Sequence, residues 1–249
     1  MFRTSLALGA AVLLVFGASA ANASGWGGYY IGLHAGQGEA ESTTSRDIVG
    51  TDYFAASSIT AIESASAMLL DEETFTGGAQ VGVNWPMFGD HFFIGAEIDA
   101  SGFGNDTSVT STVTYPCCGP STFTVTNSVE QTWFATARLR MGLTVDFGML
   151  YATGGFAGSQ IKFTQTFSDT YTPIPLQVIE NDEFRSGYAV GGGIEIMIES
   201  GCSLRAEYLY LDLGDIENSG AIAVPTDTSN GRAEMTDVLL RAGINFQMN

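Results

Sequence analysis

Chemistry in this chain would have to be built from few pieces. There are two histidines, His34 and His91, three cysteines, and nine Lys and Arg residues against 27 Asp and Glu. A nucleophile needs a base beside it and a third group to orient that base. Neither histidine has a serine and an acid spaced to supply such a set, so no catalytic residue is assigned and both are read as structural. Cys117 and Cys118 are adjacent, followed by Gly119-Pro120. In an oxidising compartment they form a candidate local disulfide. Two neighbouring thiols without histidine do not make a metal centre, and no metal or cofactor is expected. The acidic runs Asp71-Glu72-Glu73, Glu180-Asn181-Asp182-Glu183 and Asp212, Asp215, Glu217 offer hard oxygen ligands suited to Ca²⁺ or Mg²⁺. Their spacing follows no calcium-loop pattern, and a solvated, self-repelling surface is the alternative.

The scarce arginines are the more informative charges. Arg138 and Arg140 sit two apart inside TWFATARLRMGLTVDF, residues 132–147. Two further acids, Glu97 and Asp99, share the same spacing in an equally apolar run, and Glu195, Arg205, Glu207 and Arg241 recur in later ones. Four acids and four arginines at alternate positions are a neutral set awaiting a common interior. An ion-pair network would result, provided that the backbone brings the alternate positions onto one face.

Period-two alternation supplies that face. It runs through residues 29–36, 75–85, 92–100, 133–143, 150–158, 188–198, 204–210 and 238–246. In 133–143, Trp133, Ala135, Ala137, Leu139, Met141 and Leu143 alternate with Thr136, Arg138, Arg140 and Gly142. Eight strands of about ten residues match the length that crosses a bilayer when tilted. Residues 86–90, 146–148 and 199–202 are tight turns, whereas 38–73, 101–131, 160–185 and 212–236 are long and polar. Short turns at one end and long loops at the other predict an all-β fold, an eight-stranded antiparallel up-and-down transmembrane barrel. A soluble barrel or sandwich would put the apolar face inside. Against it stand the glycines crowding the polar face, a poor choice for an exposed strand, and a single lysine, Lys162, in the whole chain. In the transmembrane reading the arginines point inward, since on the lipid face each would cost about 2–4 kcal/mol near the midplane. Glu97, Asp99, Arg138, Arg140, Glu195, Arg205, Glu207 and Arg241 then fill a lumen only wide enough for side chains.

The N-terminus fits this destination. A basic start with Arg3, an apolar stretch from Leu6 to Ala18 and the small-residue site Ala21-Asn22-Ala23 predict a cleaved signal peptide over residues 1–23, leaving 24–249 as the barrel domain. Removing Arg3 and no acid takes the net charge from −18 to −19. With nothing basic clustered, nucleic acid is excluded as a partner.

WGGYYIGLHAG, WFATARLRMGLTV, YATGGFAGS, GYAVGGGIEI, SLRAEYLYLDLG and LLRAGINF resemble the strand signatures of the opacity-type and OmpA-like eight-stranded outer-membrane proteins, the "porin family" immunogenic surface proteins of Gram-negative bacteria. The resemblance covers nearly all of residues 26–246 except the long loops. It implies multi-pass residence in the outer membrane, delivery by the outer-membrane insertion machinery, contact with lipid and lipopolysaccharide, and host or surface ligands met through the loops. Two departures stand out. Leu209 and Leu211 occupy inward positions that are often polar in the family, and the chain ends Phe246-Gln247-Met248-Asn249, past the aromatic on which such barrels usually finish. Tyr29, Trp85, Phe92 and Phe246 near the turns, with Trp133, Tyr188 and Tyr210 near the loops, are expected as two interfacial aromatic girdles. The expected function is structural and interactive rather than enzymatic. The alternative is a narrow porin-like channel for small solutes or ions.

Overall fold

Alternation continues well beyond the apolar runs, and it carries the strands with it. In the computed structural model, residues 26–50, 52–88, 91–145, 147–171, 177–199 and 201–248 are described; the expected signal peptide over 1–23 lies outside them, as do parts of the tight turns. Eight strands, β1 (Gly28–Val49), β2 (Met68–Met87), β3 (Phe92–Thr114), β4 (Thr122–Val145), β5 (Gly148–Asp169), β6 (Gln177–Glu199), β7 (Cys202–Ile222) and β8 (Val224–Met248), close into one antiparallel barrel in chain order. β1 pairs with both β2 and β8, which closes the ring. Toward the other end from the tight turns, β2–β3 pairing stops at Thr76 and Phe103 and β6–β7 pairing at Tyr188 and Asp212, so beyond those points the strands part into two sheets, β7-β8-β1-β2 and β3-β4-β5-β6.

The strands hold between 20 and 25 residues, about twice the expected length. Most of the residues expected as loops over 38–73, 101–131, 160–185 and 212–236 therefore belong to paired strands. The reason is visible in β4. Phe123, Val125 and Val129 alternate with Thr124, Thr126 and Ser128, a polar version of the same period, and β-branched residues suit a pleated, half-buried wall. What remains as connection at this end, the mouth, is 50–67, 115–121, 170–176 and Ala223.

Outward polarity divides the tube in two. Near the turns the outward residues are apolar, as with Ile31 and Leu33 on β1, Leu139 and Met141 on β4, and Ile244 and Leu240 on β8. Nearer the mouth the same outward rows become Glu39, Glu41 and Asp47 on β1, Glu130 on β4, and Glu234 and Arg232 on β8. Register shifts between Gln131 and Phe134 and between Asp212 and Gly214 lie close to this boundary. Such bulges change which residue parity faces inward.

The region expected as a loop over 38–73 also contains one helix. α1 (Ala56–Ser66) lies in the β1–β2 connection and has no side-chain N-cap. An isolated helix of this length is marginal in water. Here Ile62 is fully buried among the inward residues of the mouth half, and Ile59 packs against them. The carbonyl of Ser66 accepts from Asn127 Nδ2 at 3.0 Å and from Thr44 Oγ1 at 3.0 Å. Tertiary packing therefore holds the helix.

Candidate functional site: the filled interior

The belt half, where the outward face is apolar, is filled by charge. Arg138 Nη2 donates to Glu97 at 2.6 Å and Asp99 at 2.8 Å, and its Nη1 to Glu207 at 3.2 Å. Arg140 reaches past β5 to Glu195 on β6 at 3.1 Å, with a longer contact to Glu97 at 3.5 Å. Arg205 pairs with Glu97 at 2.5 Å and also with Glu207; Arg241 pairs with Glu207 at 2.5 Å and Asp99 at 3.1 Å. All eight side chains are nearly free of solvent. They come from β3, β4, β6, β7 and β8, so the set ties opposite walls together as well as neighbouring strands.

Several members of this interior went unassigned in the sequence. The Tyr30 hydroxyl donates to Glu97 at 2.6 Å and accepts from Arg140, whose guanidinium lies 4.0 Å from the Tyr151 ring centroid. The Tyr151 hydroxyl donates to Glu207 at 3.0 Å. The glycines of the polar rows make room for these rings: a Cβ at Gly82 would strike Tyr30, and one at Gly193 would strike Tyr151. Below, Ser203 and Asn245 donate to Glu195; above, Thr136 donates to Asp99. His34 is inward and bonded to Gln80 and Ser101, whereas His91 is exposed at the turn end, so the two are not brought together. The tyrosines could have been found, since both occupy the phase of the arginines.

The mouth half is filled in the opposite way. Phe123, Val125, Val129, Phe163, Phe167, Leu213 and Ile216 line an apolar interior with Ile62 of α1. Leu209, Leu211 and Leu239 begin this layer directly above the ions. Leu209 and Leu211 are thus inward, as placed from sequence, and their apolar character belongs to the upper filling. Phe54 meets Phe167 edge-on at 5.5 Å, and the Asp227 carboxylate accepts from the backbone N–H groups of Asp52 and Tyr53 at 3.1 and 3.0 Å, fastening the connection over the opening.

At the rim Cys117 and Cys118 are disulfide-bonded, and Cys202 is a free thiol at the turn end. A cleft of about 380 Å³ is lined by Tyr53, Phe54, Ser58, Tyr115 and both cysteines among others. The Tyr53 and Tyr115 hydroxyls both donate to Asp169, and burial together with that carboxylate holds both phenols above their ordinary pKa. Among the described residues no group of three or more His, Cys, Asp or Glu is placed to hold a metal ion.

The seven girdle residues lie on the outward-facing rows. Trp85, Tyr188 and Phe246 are exposed, and Tyr29, Phe92, Trp133 and Tyr210 are half-buried by their neighbours. Phe184 lies 6.3 Å from Trp133, and Tyr188 and Tyr210 lie 6.3 Å apart. Met248 continues β8 beyond Phe246 and pairs with Tyr29.

The family model described as "outer membrane protein beta-barrel domain" matches residues 8–246. The 31 kDa outer-membrane immunogenic protein of Brucella melitensis is 32% identical over 151 residues, a match that spans 58% of this chain and 58% of that protein. Among solved structures, OprG from Pseudomonas aeruginosa is 12% identical, with 90% of this chain and 99% of that chain covered at a TM-score of 0.49. Ail, the attachment invasion locus protein of Yersinia pestis, is 10% identical, with 88% and 99% covered at a TM-score of 0.37.

Proposed function

The chain belongs to the outer membrane protein beta-barrel domain family, and from that premise we propose that it is a closed, non-enzymatic barrel with a structural and surface-contact role in the outer membrane. The observation that carries this reading is the double filling of the lumen. An eight-residue ion network occupies the belt half, and an apolar layer with α1 occupies the mouth half. Ion passage would have to break buried pairs and then displace packed side chains, each at a cost of several kcal/mol.

The apolar belt is the segment in the bilayer, its aromatic rows at the two interfaces. The mouth faces outward from the cell and the turns face the periplasm. The strands rise above the membrane as a rigid acidic collar rather than as four loose loops. Residues 1–23 act as a cleaved export signal, and the insertion machinery places the barrel. The collar contacts lipopolysaccharide and surface ligands, with divalent cations bridging its acids to phosphate groups.

Planar-bilayer recording on the refolded mature protein tests the closed-lumen reading. No resolved single-channel steps are expected. Reproducible, concentration-dependent steps would replace it with the narrow-channel alternative.

A further inference from the structure

The apolar filling of the mouth half contains one buried cation among the described residues, Arg46 on β1. It is 5% exposed. Its Nη1 donates to Gln177 Oε1 at 2.7 Å, but Nε and Nη2 have no partner among the described residues. Those two nitrogens form the side edge of the guanidinium, the fork that takes two oxygens of one anion. No carboxylate of a described residue pairs with Arg46, and burial alone pulls its pKa down to about 10. The chain cannot supply a counter-ion from the undescribed mouth positions either, since residues 51 and 172–176 include no acid.

The surroundings are unsatisfied in the same sense. Arg46 is the register partner of Gly231 on β8, which is in turn the partner of Asn218 on β7. Asn218 is buried with both amide atoms unpartnered, Ser229 Oγ is buried and unpartnered, and so is Gln165 Oε1. Gly231 gives Gln165 Oε1 and Asn218 Oδ1 their room, because a Cβ there would run into both. A cleft of about 410 Å³ is lined by Arg46, Gly231 and Asn218 together with their outward-facing strand neighbours, among them Asp47, Glu217 and Arg232. The inventory leans toward donors: two guanidinium N–H groups, an amide NH₂ and a hydroxyl face two amide oxygens, and one full positive charge is uncompensated. Water can satisfy hydrogen bonds there, but it cannot neutralise a guanidinium held in an apolar layer.

We propose that this row is a binding site for a small oxyanion presenting two adjacent oxygens, a carboxylate or an inorganic phosphate, seated on the Nε–Nη2 edge of Arg46. Asn218 Nδ2 and Ser229 Oγ supply the remaining donors. The belt half needs no such ligand, because its arginines already have acids.

The test is isothermal titration of the full mature barrel, refolded in detergent micelles, with sodium acetate and sodium phosphate against sodium chloride at equal ionic strength. Saturable binding of one oxyanion per barrel is expected, weakened about tenfold or more in Arg46→Gln, which removes the charge-assisted bonds. Heat confined to acetate assigns a carboxylate ligand, and heat confined to phosphate assigns a phosphoryl one. If Arg46→Gln does not refold, Arg46→Lys keeps the charge without the fork and must bind about tenfold more weakly. Absence of saturable binding beyond chloride overturns the proposal. So does unchanged affinity in the variant that folds.

Discussion

β8 is one continuous strand that obeys two opposite rules. From Phe246 to Val238 it turns Phe246, Ile244, Ala242 and Leu240 outward and Asn245 and Arg241 inward. From Thr236 to Asn230 it turns Thr236, Glu234, Arg232 and Asn230 outward and Met235 and Ala233 inward. Backbone pairing with β1 continues unbroken through the change. Hydrogen bonding therefore builds the wall, and the medium outside decides which side chains the wall can show. Where lipid surrounds it, polar groups must be satisfied inside. Where water surrounds it, burial of apolar area becomes available as a driving force again. On the proposed placement, a membrane barrel and a water-exposed pair of sheets are stacked on one set of strands.

The sharpest way to break this contrast is to remove an interior charge from the belt half. Arg140→Leu strands Glu195 and weakens the hold on Glu97, and should destabilise the barrel by about 3–5 kcal/mol, read as a lower urea midpoint in lipid vesicles. A stabilised barrel would mean that the ions are not a buried, mutually paired set. On the outward face of the same strand, Leu139→Arg should cost about 2–4 kcal/mol. Glu130→Arg, higher on that strand, should change stability by no more than about 0.5 kcal/mol. Equal effects would erase the boundary between the halves. Ile62→Ala should cost about 2 kcal/mol, the low end for a buried isoleucine, and should loosen α1 alone. Faster proteolysis within residues 52–67, with the urea midpoint of the barrel barely moved, would check it. A small effect belongs to the rim as well: reducing Cys117–Cys118 should cost about 1 kcal/mol or less, since the bridge closes the shortest possible loop.

The belt half was legible in the sequence because lipid imposes an unambiguous alternation. Arg138 and Arg140 among Leu139 and Met141 admit only one orientation in a bilayer, and Glu97, Asp99, Glu195, Arg205, Glu207 and Arg241 follow in phase. The pairing itself was less legible. Arg140 lies closer to Glu195, two strands away on β6, than to Glu97 on neighbouring β3, and Arg205 reaches Glu97 from the opposite wall; no spacing along the chain encodes such contacts inside a tube. The mouth half was missed for a different reason. Thr, Ser and Gly alternating with Val and Phe look like loop composition when judged by polarity, although Phe123, Val125 and Val129 keep strict phase. α1 carries no cap and little periodicity, so only its burial under the mouth explains it.

The most direct measurement is a spin-label accessibility scan along the outward row of β8. Single cysteines at Phe246, Ile244, Leu240, Thr236, Glu234 and Asn230, with Cys202 replaced by Ser, would be labelled in the refolded barrel in vesicles. Predicted is preferential collision with dissolved oxygen from Phe246 to Leu240, then an abrupt change to a water-soluble nickel complex from Thr236 onward. Uniform aqueous accessibility along the whole row, or lipid accessibility continuing to Asn230, would contradict the division of one wall between two media.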